Sequence, residues 1–198
     1  MKNMKKFQHN IQKEVKEVPY IINELTMIIL PWYSKHAYLN STILELYQEV
    51  DVNAGSLAIV NQSCIYYGSD LKGRLHHASM ILKGQRMLPV LISESNRICM
   101  VPTCSPYKPE CVWLSYKHVK DIVPKENRTV VILSNNQHVE LDITRDALET
   151  RLSRAARVVS TQGYRQEQMT DLYKMQVVAE DANLYTLNKD VEHDQLEQ

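Results

Sequence analysis

The sequence predicts an α+β protein: a β-rich core of short antiparallel strands, with a short central helix and a C-terminal helix that follows a hairpin. Three observations carry this. Residues 128–143 read "RTVVIL", a polar turn "SNNQ", then "HVELDI", in which Val139, Leu141 and Ile143 alternate with His138, Glu140 and Asp142. Alternation of period two on both sides of a turn marks a hairpin with one buried face. The stretch after it, "RDALETRLSRAARVVSTQG", has helical periodicity, with Leu148, Leu152, Ala155, Ala156 and Val159 on one stripe. Short apolar runs separated by turn residues fill most of the remainder, without a repeat, a glycine-rich linker or a low-complexity segment.

Residues 1–18 place Phe7, Ile11, Val15 and Val18 at near-helical spacing among lysines, which reads as a weak amphipathic helix or an unstructured extension. "YIINELTMIIL" (20–30) is a core strand stopped by Pro31, and "STILELYQE" (41–49) a second. From Asn53, "NAGSLAIVNQSCIYYG" is the central helix, with Leu57, Val60 and Cys64 on one face and Gly68 as its stop. Strands are expected at 76–82, 87–92 and 97–101, separated by "KGQR" and "SESN" turns. Pro102, Pro106 and Pro109 make 102–111 a loop. Thr144 reads as the N-cap of the last helix, with Asp146 and Glu149 in its first turns and Gly163 at its end. The implied organisation is an N-terminal extension (1–18), a folded domain (19–165) and an acidic tail (166–198).

At 198 residues, 44% hydrophobic and 23% charged, the chain can bury a full core as one domain. No apolar run approaches the ~18 residues of a membrane span, and the charged start "MKNMKKFQHN" has no apolar stretch behind it. A cytoplasmic protein without a membrane partner is the expectation, and four cysteines fit reduced thiols. The formal net charge is zero, but it is unevenly spread. Residues 64–128 carry ten cations against five carboxylates and 145–165 five against two, whereas 166–198 carry two against eight. Because fields are screened over about 8–10 Å, a neutral chain divided in this way can hold a polyanion locally.

"SCIYYGSDLKGR" (63–74) is the stretch most marked by glycine, and Gly68 and Gly73 stand at the separation found in a phosphate-binding loop. That motif needs a Lys and a Ser or Thr next; here Arg74 and Leu75 stand in their places, so no metal-binding hydroxyl is present. The stretch reads instead as a polar turn exposing Lys72 and Arg74. Cys99, Cys104 and Cys111, with His76, His77 and His118, raise zinc, but C-x4-C-x6-C lacks the close matching pairs of zinc ribbons. No metal or cofactor is assigned, and a zinc- or thiol-dependent regulator stays as the alternative. With no G-x-S-x-G, H-E-x-x-H or paired-carboxylate signature, no enzyme is expected. Cys64 and Trp113 read as core residues and Tyr66 and Tyr67 as half-buried. Arg151, Arg154 and Arg157 fall on a spiral outside the apolar stripe, on the solvated side of the last helix.

Taken together, "IVNQSCIYYGSDLKGR" (59–74), "VPTCSPYKPECVWLSYKHVKDI" (101–122) and "VVILSNNQHVELDITRDALETRLSRAARV" (130–158) resemble the ComK family of competence transcription factors, from about residue 19 to about 168. The resemblance implies an activator that binds paired A/T-rich boxes of double-stranded DNA as a dimer, through the minor groove. It further implies control by an adaptor that delivers the protein to a Clp protease, and engagement of RNA polymerase. Lys72, Arg74, Lys108, Lys117, Lys120, Arg151, Arg154 and Arg157 are the expected DNA surface, Arg74 and Lys120 standing where the likeness is closest. The chain departs from the family pattern at Ile65, where Arg is usual, at "RMLPV", where a Pro-Pro segment is usual, and at "QEQMTDLYKM" (166–175), where an aromatic-rich run ending in Pro is usual. The second of the alternatives is accordingly a diverged paralogue that acts as a protein-interaction module without DNA binding.

Overall fold

The structure, a computed structural model, describes residues 13–16 and 20–194, and the side chains of 20–178. Its apolar runs become strands of two sheets. The first unit of the chain, residues 1–159, contains β1 (Lys13–Lys16), β2 (Thr26–Tyr33), β3 (Leu39–Glu45) and β4 (Glu49–Val52). Two helices come next, α1 (Ser56–Tyr66) and α2 (Leu71–Leu82), and then β5 (Val90–Ser93), β6 (Ile98–Pro102) and β7 (Trp113–Ser115). A single 3-10 turn, Tyr116–His118, leads into β8 (Val119–Lys125), β9 (Arg128–Leu133) and β10 (His138–Leu141). The last helix, α3 (Arg145–Asp194), begins in this unit and continues in the second, residues 160–198.

The large sheet has the order β1-β4-β3-β2-β7-β6-β5, and the small one β10-β9-β8. Every neighbouring pair is antiparallel except β1 with β4. The α+β class, the hairpin and the helix after it are as expected from the sequence.

The large sheet is covered on both faces. Alternate residues divide between two apolar clusters: Ile29, Val90, Ile92, Ile98, Met100 and Trp113 pack with Ile59, Val60 and Cys64 of α1. Ile28, Leu91, Cys99, Val101 and Leu114 pack with Ala78, Ile81 and Leu82 of α2, with β9 and β10, and with Leu148, Ala155 and Val158 of α3. Burial on both faces is why β5, β6 and β7 read as continuous apolar runs rather than as alternating strands. A buried carboxylate near the start of β2 is fully engaged. Glu45 accepts from the Tyr20 hydroxyl and from Gln48 Nε2 at 2.6 Å, and burial drives the Tyr20 hydroxyl pKa well up.

Several expectations are corrected here. Residues 76–82, read as a strand, belong to α2: Leu71, Leu75, Ala78 and Leu82 have helical spacing, hidden when 63–74 is read as a loop. Pro31 does not stop β2. The neighbour β7 pairs only at Ile28 and Ile29, so beyond them β2 is an edge on that side, where proline is tolerated. The single strand expected at 41–49 is the end of β3, a turn, and the first residue of β4. Gly163 does not end α3, since glycine inside a helix costs only about 1 kcal/mol relative to alanine. Within the expected N-terminal helix, residues 13–16 form a strand; the rest of that stretch lies outside the described residues.

The small sheet is tied to the large one through His118, at the end of the 3-10 turn. Its Nε2 lies 2.7 Å from the carbonyl oxygen of Glu24, and its Nδ1 3.2 Å from Ser134 Oγ. Burial holds its pKa below the ordinary 6.5, so the folded protein keeps the ring neutral where an unfolded chain would take up a proton. Between pH 6.5 and the lower folded value the unfolded state binds more protons, and stability falls as pH falls. Denaturant midpoints measured from pH 7.5 down to pH 5 are expected to decline, and H118Q to flatten the part of that decline due to histidine. An equally steep decline in H118Q would show that other groups dominate.

Candidate nucleic-acid interface

The glycine-marked stretch is the junction between two helices. Gly68 ends α1 at φ 84, a conformation that side chains with a Cβ rarely adopt. Asp70 caps α2, its carboxylate accepting from Gly73 N–H at 2.6 Å, and a Cβ on Gly73 would meet that carboxylate at 3.0 Å. The helix N-terminus is therefore occupied by the chain's own acid, which leaves no cradle for a nucleotide phosphate.

Arg74 lies inside this junction and is only 8% exposed. Its Nη1 donates to Glu94 Oε1 at 2.8 Å and its Nη2 to the carbonyl of Tyr67 at 3.0 Å. One guanidinium thus joins α2 to the end of α1 and to the turn after β5, a task for a planar fork that lysine cannot reproduce. Lys72, two residues earlier, is exposed on the solvent side of α2.

A basic edge forms elsewhere, where the start of α3 meets the end of α2. Arg151 donates to the carbonyl of Pro102 at 2.8 Å, and burial lowers its pKa. Arg154 donates to the carbonyl of Arg86, in the turn after α2. Arg154 and Arg157 line a surface depression with Leu82, Gln85, Thr150 and Ser153. Arg151 and Arg154 are half-buried and tethered rather than fully solvated as the sequence suggests, whereas Arg157 is exposed, as expected. Each tether uses one of the five N–H groups of a guanidinium, so donors remain for an anion. The exposed Lys83 and Arg86 of the α2–β5 turn join this edge. Neither stands out in the sequence, where "KGQR" carries only turn chemistry and nothing indicates that it folds against α3.

Lys108 stands exposed on the 102–111 loop, whose root Arg151 holds through Pro102; its pairing with Glu110 at 3.6 Å is solvated and weak. Lys117 and Lys120 are exposed on the 3-10 turn and β8, Lys120 donating to Asn136 Oδ1 at 2.7 Å. Lys72 sits at the opposite end of α2 from Lys83, about 16 Å along the axis at 1.5 Å per residue. The expected set is thus brought together in part: Arg151, Arg154 and Arg157, with Lys108 on the neighbouring loop. The cysteines do not converge on a metal. Cys99 faces one core cluster and Cys111 the other, and among the described residues no group of three His, Cys, Asp or Glu is placed to hold an ion.

A family description, ComK protein, matches residues 17–167. The chain belongs to the ComK family. A competence transcription factor of Bacillus subtilis (strain 168) is 33% identical over 138 residues, covering 69% of this chain and 71% of that protein. No solved structure matches. The ComK match spans both sheets from β2 onward and the first part of α3, so it covers the basic edge whole. Ile65, one of the departures noted in the sequence, is exposed on α1.

The buried pairing of Arg74 yields a direct expectation. Removing one partner of a buried ion pair costs about 3–5 kcal/mol, and the one-third exposure of the Glu94 side chain reduces that to about 2 kcal/mol. R74A is expected to lower the urea midpoint accordingly, and K72A to leave it unchanged. Equal midpoints for R74A and the parent would remove Arg74 from the junction.

Proposed function

We propose that this protein is a sequence-specific DNA-binding transcription activator of competence genes, and that it meets A/T-rich boxes of duplex DNA along the edge formed by Arg86, Arg151, Arg154 and Arg157, with Lys108 beside it. Membership of the ComK family supports the regulatory class. The observation that supports this surface is that arginines of α3 are held by backbone carbonyls of two separate segments, Pro102 at the end of β6 and Arg86 in the turn after α2. Tethering lowers the entropy lost when a side chain is immobilised on a ligand, and arginine is the residue best suited to forked phosphate contacts.

Groove choice rests on the same chemistry. A narrow A-tract minor groove concentrates negative potential and draws in arginine, while its edges mainly distinguish A·T from G·C. Specificity then comes from groove width and from the spacing of two boxes, which a dimer would read. Lys72, Lys117 and Lys120 supply additional phosphate contacts if the duplex extends past the edge. Protein partners belong to the same reading: Met169, Leu172, Tyr173 and Met175 are exposed on α3 in the second unit, a surface for an adaptor, for RNA polymerase or for a second copy.

Binding to a duplex with two spaced A/T-rich boxes, against a G·C-rich duplex of equal length at two salt concentrations, tests the proposal. Tighter binding to the A/T-rich duplex is expected, with log affinity falling linearly in log salt. R86A/R154A/R157A should weaken binding and reduce the magnitude of the slope by about two to three. A minor-groove ligand should compete. Equal and weak binding to both duplexes would overturn the assignment.

A further inference from the structure

The ladder between β6 and β7 continues beyond both strands. Within them the register pairs Met100 with Ser115, Val101 with Leu114, and Pro102 with Trp113. Outside them Thr103 N–H donates to the carbonyl of Val112 at 2.9 Å, and Val112 N–H donates to Thr103 Oγ1 at 3.1 Å. One more step sets Cys104 opposite Cys111. Cys111 N–H donates instead within its own loop, to the carbonyl of Lys108 at 3.0 Å.

Thr103 and Val112 are joined by a backbone bond, so the next pair is of the non-hydrogen-bonded kind, with Cα atoms about 4.5 Å apart. That separation lies inside the range of about 4.4–6.8 Å that a disulfide spans. Directly opposed side chains lie on the same face of a ladder. In agreement, Cys111 Sγ lies 3.7 Å from the Cys104 carbonyl oxygen, and both thiols are free.

We propose that Cys104 and Cys111 form a redox-sensitive dithiol, which a peroxide-class oxidant converts to a disulfide that clasps the loop 104–111. Cys104 is half-buried and takes the first step. Its thiolate sulfur attacks one peroxide oxygen, the O–O bond breaks, hydroxide leaves, and Cys104 becomes a sulfenic acid. Cys111 sulfur then attacks Cys104 sulfur, the S–O bond breaks, and water leaves with the Cys111 proton. In total two thiols and one hydrogen peroxide give one disulfide and two waters.

The surroundings suit these roles. Arg151 is close enough to both thiols for their charged forms to favour its cation, so a thiolate at either sulfur has a positive neighbour. Burial pushes the Cys111 thiol up to about 12, which fits the resolving partner rather than the attacking one. Cys64 and Cys99 are buried on α1 and β6, where burial raises both, and Cys99 stands opposite Leu91 of β5. The loop so clasped carries exposed Tyr107 and Lys108 at its tip. Its tightening bears on DNA only through the function proposed above; the bond itself does not depend on that reading.

The test uses the reduced full-length chain treated with hydrogen peroxide, then alkylation, intact mass and peptide mapping. The expected product has lost two hydrogens, retains two alkylatable thiols and yields a Cys104–Cys111 linked peptide. C104S and C111S should each abolish the loss, whereas C64S should retain it. Hydrogen exchange over 105–110 should slow several-fold in the oxidised form and recover with dithiothreitol. Four alkylatable thiols after treatment, or a bond to Cys64 or Cys99, would overturn the dithiol; unchanged exchange in the linked form would overturn the clasp.

Discussion

Strand β7 has three residues, and the arrangement of the protein depends on them. Leu114 pairs with Ile28 on one side and Val101 on the other, and Trp113 with Ile29 and Pro102. The strand therefore joins the β2–β4 meander to the β5–β6 hairpin. Trp113 points into the cluster under α1 and Leu114 into the cluster under α2 and α3, so adjacent residues anchor both faces of the sheet. The 102–111 loop leads into β7, and the turn at His118 leads out of it to the small sheet. A shift of one residue in β7 would exchange Trp113 and Leu114 between cores and misplace both connections.

This constraint also places the charge. With both faces of the large sheet covered, cations are excluded from the centre and collect at loop roots and helix ends. Arg151 and Arg154 of α3 reach the carbonyls of Pro102 and Arg86 and are half-buried there. Arg74 is the exception, since its charge is spent between two helices and a turn. The overall neutrality of the sequence conceals this division, because the excess of acid lies beyond residue 165.

Much of the fold is legible in the sequence, for reasons that also explain the misses. Val139 and Leu141 alternate because only one face of the small sheet is buried, and Leu148, Ala155 and Val158 recur because α3 has one packed side. Residues 71–82 are harder. Leu71, Ala78 and Leu82 are spaced for a helix, but Lys72, Gly73 and Arg74 look like the end of a loop until the cap at Asp70 is known. Arg74 reads as a phosphate contact because its partner Glu94 is twenty residues away, and no local pattern announces such a pair. The association of Arg86 with Arg154 spans 68 residues and is equally invisible. Opposition of Cys104 and Cys111 requires the register set by β7, which composition cannot supply.

The central claim is that the α3 arginines, the turn after α2 and the 102–111 loop form one DNA-binding edge. The most direct measurement is a titration of the isotopically labelled full-length chain with the A/T-rich duplex, monitored through backbone amide shifts. Changes concentrated at 83–87, 104–111 and 150–158 are predicted, with the Arg74 junction unperturbed. Changes confined to the β8–β10 sheet, or to Lys72 and its neighbours, would contradict the account.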